Sequence, residues 1–315
     1  MNKIFKYLII TALLGVVFLA AAISLARYFM PSLDQYEQQI TEYVANELQL
    51  KVHFDTFSGD WYRFGPALKV TDIVLSTPDG RIVTEIDALY ISLNLLSSLT
   101  QQKLIPAYLN VIGLKVNLQQ DANQHISIVN LPTTDGAAAN QQNILDMLKQ
   151  YTRITLRRSQ IEFKDAQGIE TPIYIRRMVL SRVGQNHELD VAMNLLNHPT
   201  RLEMVTKING DLAVPEKLAV NGYVKIDDVV LDGYLRPYFF HDYAVHDGVV
   251  DLHAWFDWSS NTLQSLHAEM NLQQLHIYSQ KNDQILKPFD LEGEFLWERE
   301  GEQGWSIASS DLRMG

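Results

Sequence analysis

From residue 50 onward, apolar and polar side chains alternate with a period of two, the pattern of β-strands that have one apolar face. Turn residues interrupt this alternation about every ten to fifteen positions. The pattern predicts a mainly β protein, an elongated and twisted antiparallel sheet. The predicted strands cover residues 50–54, 68–75, 82–93, 108–118, 125–129, 154–163, 173–180, 189–195, 202–208, 223–226, 248–258, 266–275, 291–297 and 304–312.

The first segment of the chain has a different pattern. Residues 7–26 are twenty consecutive residues without a charged side chain. A helix of about that length crosses about 30 Å of hydrocarbon. We therefore predict a transmembrane helix over residues 7–29, preceded by a cytoplasmic N-terminus at 1–6. A cleaved signal peptide is the alternative, and the small residues at 20–22 suit cleavage, but the run exceeds the usual apolar core of about 7–15 residues.

An amphipathic helix is predicted over residues 32–48. Ser32 and Gln35 form a capping box, and apolar residues then recur at steps of three and four. Its polar face carries no lysine before Lys51. This composition favours packing on the open end of a sheet over binding to an anionic membrane surface.

Two further short helices are predicted, at 95–104 and 140–150, and the small-residue loop at 133–139 is the best internal boundary. The predicted organisation after the membrane helix is an α+β cap over residues 30–139 and a repetitive antiparallel sheet over residues 140–315. The last predicted strand has no helix or charged cap beyond it, so we expect the sheet to continue past residue 315 in a longer protein.

The charge distribution separates the N-terminus from the rest. The chain has a net charge of −11, but residues 1–29 contain three basic side chains and no acidic one, which leaves −14 on the remainder. Such acidity argues against nucleic-acid binding. The basic N-terminus predicts a single-pass protein with residues 30–315 outside the cytoplasm. The absence of cysteine excludes disulfides, thiolate metal sites and a cysteine nucleophile.

The sequence shows no catalytic motif. The densest group of potential ligands is a histidine and aspartate cluster in residues 241–253, whose spacing matches no metal motif and is typical of a solvated loop. The pairs Arg157-Arg158 and Arg176-Arg177 are predicted to point to opposite faces of their strands, so neither forms a clamp. We predict no catalytic residue, no cofactor and no metal site.

Several segments together resemble the YhdP family of AsmA-like proteins, relatives of TamB and of bridge-like lipid transfer proteins. They are the N-terminal anchor, the helix that begins Pro-Ser-Leu-Asp at residue 31, the Gly-Asp-Trp-Tyr-Arg-Phe-Gly-Pro segment at 59–66, the strand at 109–118 and the Gly-Glu-Phe-Leu-Trp unit at 293–297. The resemblance covers essentially the whole chain and is strongest over residues 1–120.

The resemblance implies a protein of the inner membrane and periplasm whose folded sheet forms an open apolar groove for phospholipid. The implied function is non-catalytic phospholipid transfer between the inner and outer membranes. The implied partners are membrane lipids, an inner-membrane protein at the anchor and an outer-membrane component at the distal end. The alternative is a structural or assembly factor of the outer membrane that binds polypeptide by β-augmentation.

The apolar phases of two late strands are the candidates for a lipid-binding groove. Period-two strands supply such a surface if one face of the sheet is not filled by the protein's own helices. The same alternation suits a closed two-sheet core, so both alternatives stay open. The candidate residues are Val250, Leu252, Ala254 and Phe256 in one strand and Leu291, Gly293, Phe295 and Trp297 in the other.

Overall fold

The computed structural model describes only part of the chain. The described residues are Thr41 and residues 50–62, 65–101, 105–121, 126–131, 151–184, 186–195, 201–211, 214, 217–230, 239–240, 243–279, 284–285, 288–301 and 304–315.

Several predicted elements lie outside these residues. They are the transmembrane helix at 7–29, the helix at 140–150, the boundary loop at 133–139 and, apart from the helical Thr41, the helix at 32–48. Among the described helices, none is long and apolar enough to cross a membrane.

The chain divides into two compact units. One contains Met1–Ile112 with Asn130–Pro132, and the other contains Gly113–Val129 with Thr133–Gly315. The described parts of both units are mainly β and mostly antiparallel, as the alternation predicts.

The first unit is an antiparallel sheet centred on β3. Strands β1 and β2 pair with successive halves of β3, β4 pairs with the other side of β3, and β5 pairs with β4. A short helix, α1, connects β4 to β5 and confirms the helix predicted at this place. The elements are β1 (Lys51–His53), β2 (Thr56–Tyr62), β3 (Gly65–Ser76), β4 (Ile82–Leu93), α1 (Leu95–Gln101) and β5 (Pro106–Ile112).

The core of the first unit depends on a break in the alternation. Phe57, Val70 and Ile73 are buried together, although Val70 and Ile73 are three residues apart. Asp72 between them has φ 51°. Neither Asp72 nor Asp87 opposite it is paired, although the register with β4 is the same on both sides. The left-handed backbone at Asp72, rather than an inserted residue, turns Ile73 to the same face as Val70.

Strands β2 and β3 pair antiparallel, and Trp61 opposes Pro66 at the end of this pair. One prediction in this part of the chain was wrong. The single strand predicted at 108–118 is two strands. Gly113 has φ 68°, a conformation that ends β5, and the chain resumes as β6 at Lys115.

The second unit is a long meander. Strand β6 pairs antiparallel with β7 and parallel with β8. From β8 onward the order is β8, β9, β10, β11, β12, β14, β15, β17 and β18, each antiparallel to its neighbour. The two-residue strands β13 and β16 lie beside β14 and β15. The elements are β6 (Lys115–Gln120), β7 (Ile126–Ile128), β8 (Arg153–Lys164), β9 (Glu170–Val183), β10 (Asn186–Leu195), β11 (Arg201–Asn209), β12 (Ala219–Val230), β13 (Phe239–Phe240), β14 (Tyr243–Ser259), β15 (Thr262–Ser279), β16 (Gln284–Ile285), β17 (Phe289–Glu300) and β18 (Gly304–Met314).

Bulges recur in the long strands of this unit. Asp228 in β12 has φ 56° and Gln274 in β15 has φ 50°, and the registers shift at both places. Each bulged N–H donates to a carboxylate on the next strand: Asp228 to Asp251 at 2.8 Å and Gln274 to Asp290 at 2.8 Å. A bulge bends its strand and increases the local twist, so these side-chain acceptors stabilise bends in the meander.

Candidate functional site

The registers of β14, β15 and β17 bring the two predicted apolar sets onto one face of the sheet. Val250 of β14 pairs with Leu272 of β15, which pairs in turn with Leu291 of β17. Side chains two residues apart in a strand point to the same face, so the following rows repeat this arrangement. These rows are Leu252 with Met270 and Gly293, Ala254 with Ala268 and Phe295, and Phe256 with Leu266 and Trp297.

The rows of Ala254 and Phe256 continue across all the preceding strands to β8, and the row of Leu252 continues to β10. Together the rows form what we call the apolar face of the second unit. Ala254 pairs with Val224 of β12, and the same row continues through β11, β10, β9 and β8. The apolar face consists, from β8 to β12, of Ile154, Leu156, Met178, Leu180, Leu189, Val191, Met193, Leu202, Met204, Thr206, Ile208, Gly222, Val224 and Ile226, followed by the residues of β14, β15 and β17 named above.

The apolar face is covered only in part within the described residues. The small side chains of Ala254 and Ala268 are 7% and 5% exposed. The large side chains beside them, Phe256, Phe295 and Trp297, are half-buried. Because these rings are not enclosed, the geometry suits a surface that an apolar ligand could cover further, and it leaves the alternative of a two-sheet core open.

One close contact shapes the middle of this face. Gly222 of β12 lies directly opposite Phe256 of β14. The phenyl ring packs where the glycine lacks a side chain, and a methyl group at Gly222 would overlap three ring atoms. An aromatic ring that covers a cross-strand glycine in this way excludes water from the exposed backbone.

The opposite face of the same strands is polar, and we call it the polar face. Ion pairs connect its strands, such as Arg177 with Asp190 at 2.6 Å. On β12, Lys225 pairs with Asp227 at 2.9 Å, and its hydrogen bond to that carboxylate raises the pKa of Lys225. The polar face therefore suits solvent, while the apolar face does not.

The described members of the histidine and aspartate cluster, Asp247, Asp251 and His253, do not converge. His253 lies 3.7 Å from both Asp227 and Glu269. Asp251 caps the bulge at Asp228, and Asp247 contacts His276. Among the described residues, no three histidine, aspartate or glutamate side chains are placed to hold a metal ion together.

The prediction that adjacent arginines point apart was wrong for Arg176 and Arg177. Arg176 lies 3.6 Å from Glu203, and Arg177 contacts Asp190 on the same polar face. A register shift beside this pair disrupts the strict alternation. Arg177 donates a hydrogen bond to Asp190, whereas Arg176 approaches Glu203 only as a 3.6 Å ion pair, so the two guanidinium groups face different carboxylates of the protein.

Sequence reasoning missed the bulges and the continuity of the apolar face. Consecutive polar residues inside otherwise alternating strands, Asp227-Asp228 and Gln273-Gln274, were an available signal for two of the bulges. No local pattern gives the pairing register of β12 with β14, which depends on long-range contacts.

The fold and this surface define a mainly β protein with a long two-sided sheet, apolar on one face and charged on the other. The family model described as YhdP protein matches residues 1–315. The chain therefore belongs to the YhdP family, as its resemblance predicted. Comparisons with curated proteins and with solved structures found no match.

Proposed function

We propose that this protein is a non-catalytic lipid carrier whose apolar face holds the acyl chains of phospholipids. The observation that carries the proposal is the continuity of two rows of that face, those of Ala254 and Phe256, from β8 to β17, in which every residue is apolar apart from Thr206. Membership of the YhdP family and the large sheet support a lipid-transport role.

The dimensions of the apolar face suit acyl chains. Eight strands at about 4.8 Å each separate the ends of a row by about 34 Å. The chains of one lipid leaflet occupy about half of a 30 Å hydrocarbon core. Each methylene removed from water contributes about 0.8 kcal/mol, so the acyl chains alone can retain a lipid without a charged clamp for its headgroup. A surface without specific contacts also allows a lipid to slide.

The proposed setting is the bacterial envelope. Residues 7–29 would anchor the chain in the inner membrane, and residues 30–315 would lie in the periplasm. Phospholipid would then pass between the inner and outer membranes, with an inner-membrane partner near the anchor and an outer-membrane component at the distal end. A topology reporter fused after residue 315 tests this placement, since activity on the cytoplasmic side would contradict it.

The lipid content of the purified full chain tests the proposal. We expect phospholipid to co-purify in mild detergent and to be detected by mass spectrometry after extraction. The double variant Ala254→Asp, Ala268→Asp places two carboxylates on the apolar face. An unpaired carboxylate against acyl chains costs several kcal/mol, so bound lipid should fall at least about tenfold.

The matched control is Gln273→Glu, which adds a carboxylate on the polar face of β15 where the side chain is exposed. It should retain the lipid of the unmodified protein, and circular dichroism of all variants checks that the sheet is intact. Equal lipid in the double variant and the control, with intact sheets, would refute the proposal.

A further inference from the structure

The polar face contains an exposed row of apolar and aromatic side chains that the lipid proposal does not use. In this row, Trp255 of β14 pairs with Tyr223 of β12 on one side and with His267 of β15 on the other. The ring centroids are 5.1 Å and 5.3 Å from that of Trp255. The row, here called the aromatic row, consists in strand order of Val205, Tyr223, Trp255, His267, Leu296 and Ala308.

Three large apolar side chains of the aromatic row are exposed, while Tyr223 and His267 between them are half-buried. Val205 is 51% exposed, Trp255 39% and Leu296 38%. A depression of about 440 Å³, lined by His267, Leu296 and Ala308 among others, adjoins its β15 to β18 end. Large exposed side chains that form one contiguous patch, rather than scattered single residues, are typical of interaction sites.

The side chains that flank the aromatic row on β14, β15 and β17 are mainly acidic. Two residues away from it on these strands lie four carboxylates and no lysine or arginine. On β11 and β12 the same positions carry Glu203, Lys207, Asn221 and Lys225. Two of the four carboxylates also accept hydrogen bonds from serine hydroxyls, at 2.7 Å for Asp257 and 2.9 Å for Glu294. The four flanking acids are Asp257, Glu269, Glu294 and Glu298.

The apolar row and its flanking carboxylates together indicate which kind of partner could bind there. Flanking carboxylates repel anionic membranes and nucleic acids, which excludes both as occupants. An apolar centre with charged surroundings is the usual anatomy of a protein interface, in which tryptophan and tyrosine dominate the binding energy. A partner must therefore present an apolar anchor surrounded by lysine or arginine.

The size of the patch limits the partner further. Six strands at about 4.8 Å give a row of about 24 Å, and the flanking positions give a width of about 13 Å. An interface between folded proteins covers about 800 Å² on each partner, which is more than this patch offers. We propose that the aromatic row is a docking site for a short basic polypeptide segment that inserts apolar side chains between the flanking carboxylates.

Binding of a defined probe to the full chain tests this docking site. The probe is a fluorescein-labelled peptide of Lys-Leu-Ser-Lys repeats, and its affinity is measured by fluorescence anisotropy in detergent. We expect saturable binding that weakens as salt rises, since salt screens the flanking charges. Peptides with glutamate for lysine, or serine for leucine, should bind at least about tenfold more weakly.

Variants locate the binding site on the sheet. Leu296→Ser should weaken binding of the lysine-leucine peptide about tenfold. The double variant Glu269→Gln, Glu294→Gln should weaken it several-fold and flatten its salt dependence. The matched control is Ile307→Ser, which removes an apolar side chain that is 60% exposed, as Leu296→Ser does, but from the opposite face of the sheet. Ile307 lies on the apolar face beside Trp297, so its loss should leave peptide binding unchanged.

The proposal is overturned if Ile307→Ser abolishes binding while Leu296→Ser does not, since the peptide would then occupy the apolar face. Binding that is insensitive to salt and to the loss of both glutamates would also overturn it. The lipid content of each variant is measured in parallel. We expect Leu296→Ser to lose peptide binding and to retain the lipid content of the unmodified protein. That result would separate the docking site from the proposed lipid-binding face.

Discussion

The contact between Gly222 and Phe256 gives the sharpest prediction about the apolar face. Substituting alanine for Gly222 places a methyl group where the phenyl ring now packs across β12 and β14. The ring must move, or the strands must separate. Either response disturbs the rows that Phe256 shares with Leu266 and Trp297.

Two opposing effects set the size of the change. Overpacking of this kind costs about 1–3 kcal/mol. Alanine also restricts the unfolded chain more than glycine does, which stabilises the folded state by about 0.4–1 kcal/mol where the backbone is compatible. We therefore expect Gly222→Ala to lower the free energy of unfolding by about 1 kcal/mol.

A double-mutant cycle isolates the contact. In the Phe256→Ala background the ring is gone, so Gly222→Ala should be neutral or stabilising by about 0.5–1 kcal/mol. The coupling free energy between the two positions is then about 1–2 kcal/mol. Urea unfolding of the full chain in detergent, followed by tryptophan fluorescence, measures it. Additive effects of the two substitutions would refute the packing described for this face.

Three further predictions concern the backbone and the pH response. Asp251→Ala removes the acceptor of the Asp228 N–H and should destabilise the fold by about 1 kcal/mol in urea unfolding. Asp251→Asn keeps an oxygen acceptor and should destabilise the fold less. Equal losses in the two variants would contradict the capping role of Asp251. Gly113→Ala should cost about 1–2 kcal/mol in the same assay because φ 68° is left-handed, and an unchanged midpoint would show that the turn is not needed. Burial, with a contribution from Arg182, lowers the pKa of His187. The folded state therefore favours the uncharged imidazole. The stability that His187 contributes is present above its ordinary pKa near 6.5 and is lost as pH falls below that value. His187→Gln should flatten this part of the pH profile of thermal unfolding, and an identical profile in the variant would exclude His187 as its source.

The presence of the strands could be predicted from the sequence because the sheet of the second unit has one polar and one apolar face. Alternation of the kind seen at Leu252, Ala254 and Phe256 requires one wet and one apolar face, and the structure shows both. The two candidate sets lie on the same face because β15 between them has the same alternation.

Strand boundaries and bulges were harder to predict. A positive φ at Asp72, Asp228 or Gln274 shifts the phase of a strand by one residue, and these residue types are common outside bulges too. Gly113 indicated a break, since a glycine inside an apolar run often interrupts a strand. The alternation continues with the same period on both sides of Gly113, however, and therefore predicts a single strand.

The aromatic row could not be predicted from alternation. Trp255 lies between Ala254 and Phe256, and Leu296 lies between Phe295 and Trp297. Consecutive apolar residues of this kind make both faces of each strand look apolar in the sequence. Only the pairing of β12, β14, β15 and β17 shows that these side chains form one row. Such pairing depends on contacts between residues far apart in the chain.

Photocrosslinking in cells tests whether phospholipid lies against the apolar face. A photoreactive residue at Phe256 or Phe295 lies on the apolar face, whereas one at His253 or Glu294 lies on the polar face of the same two strands. We expect phospholipid adducts at Phe256 and Phe295, identified by mass spectrometry, and few at His253 and Glu294. Equal capture of phospholipid at all four positions would rule out an apolar face that holds lipid.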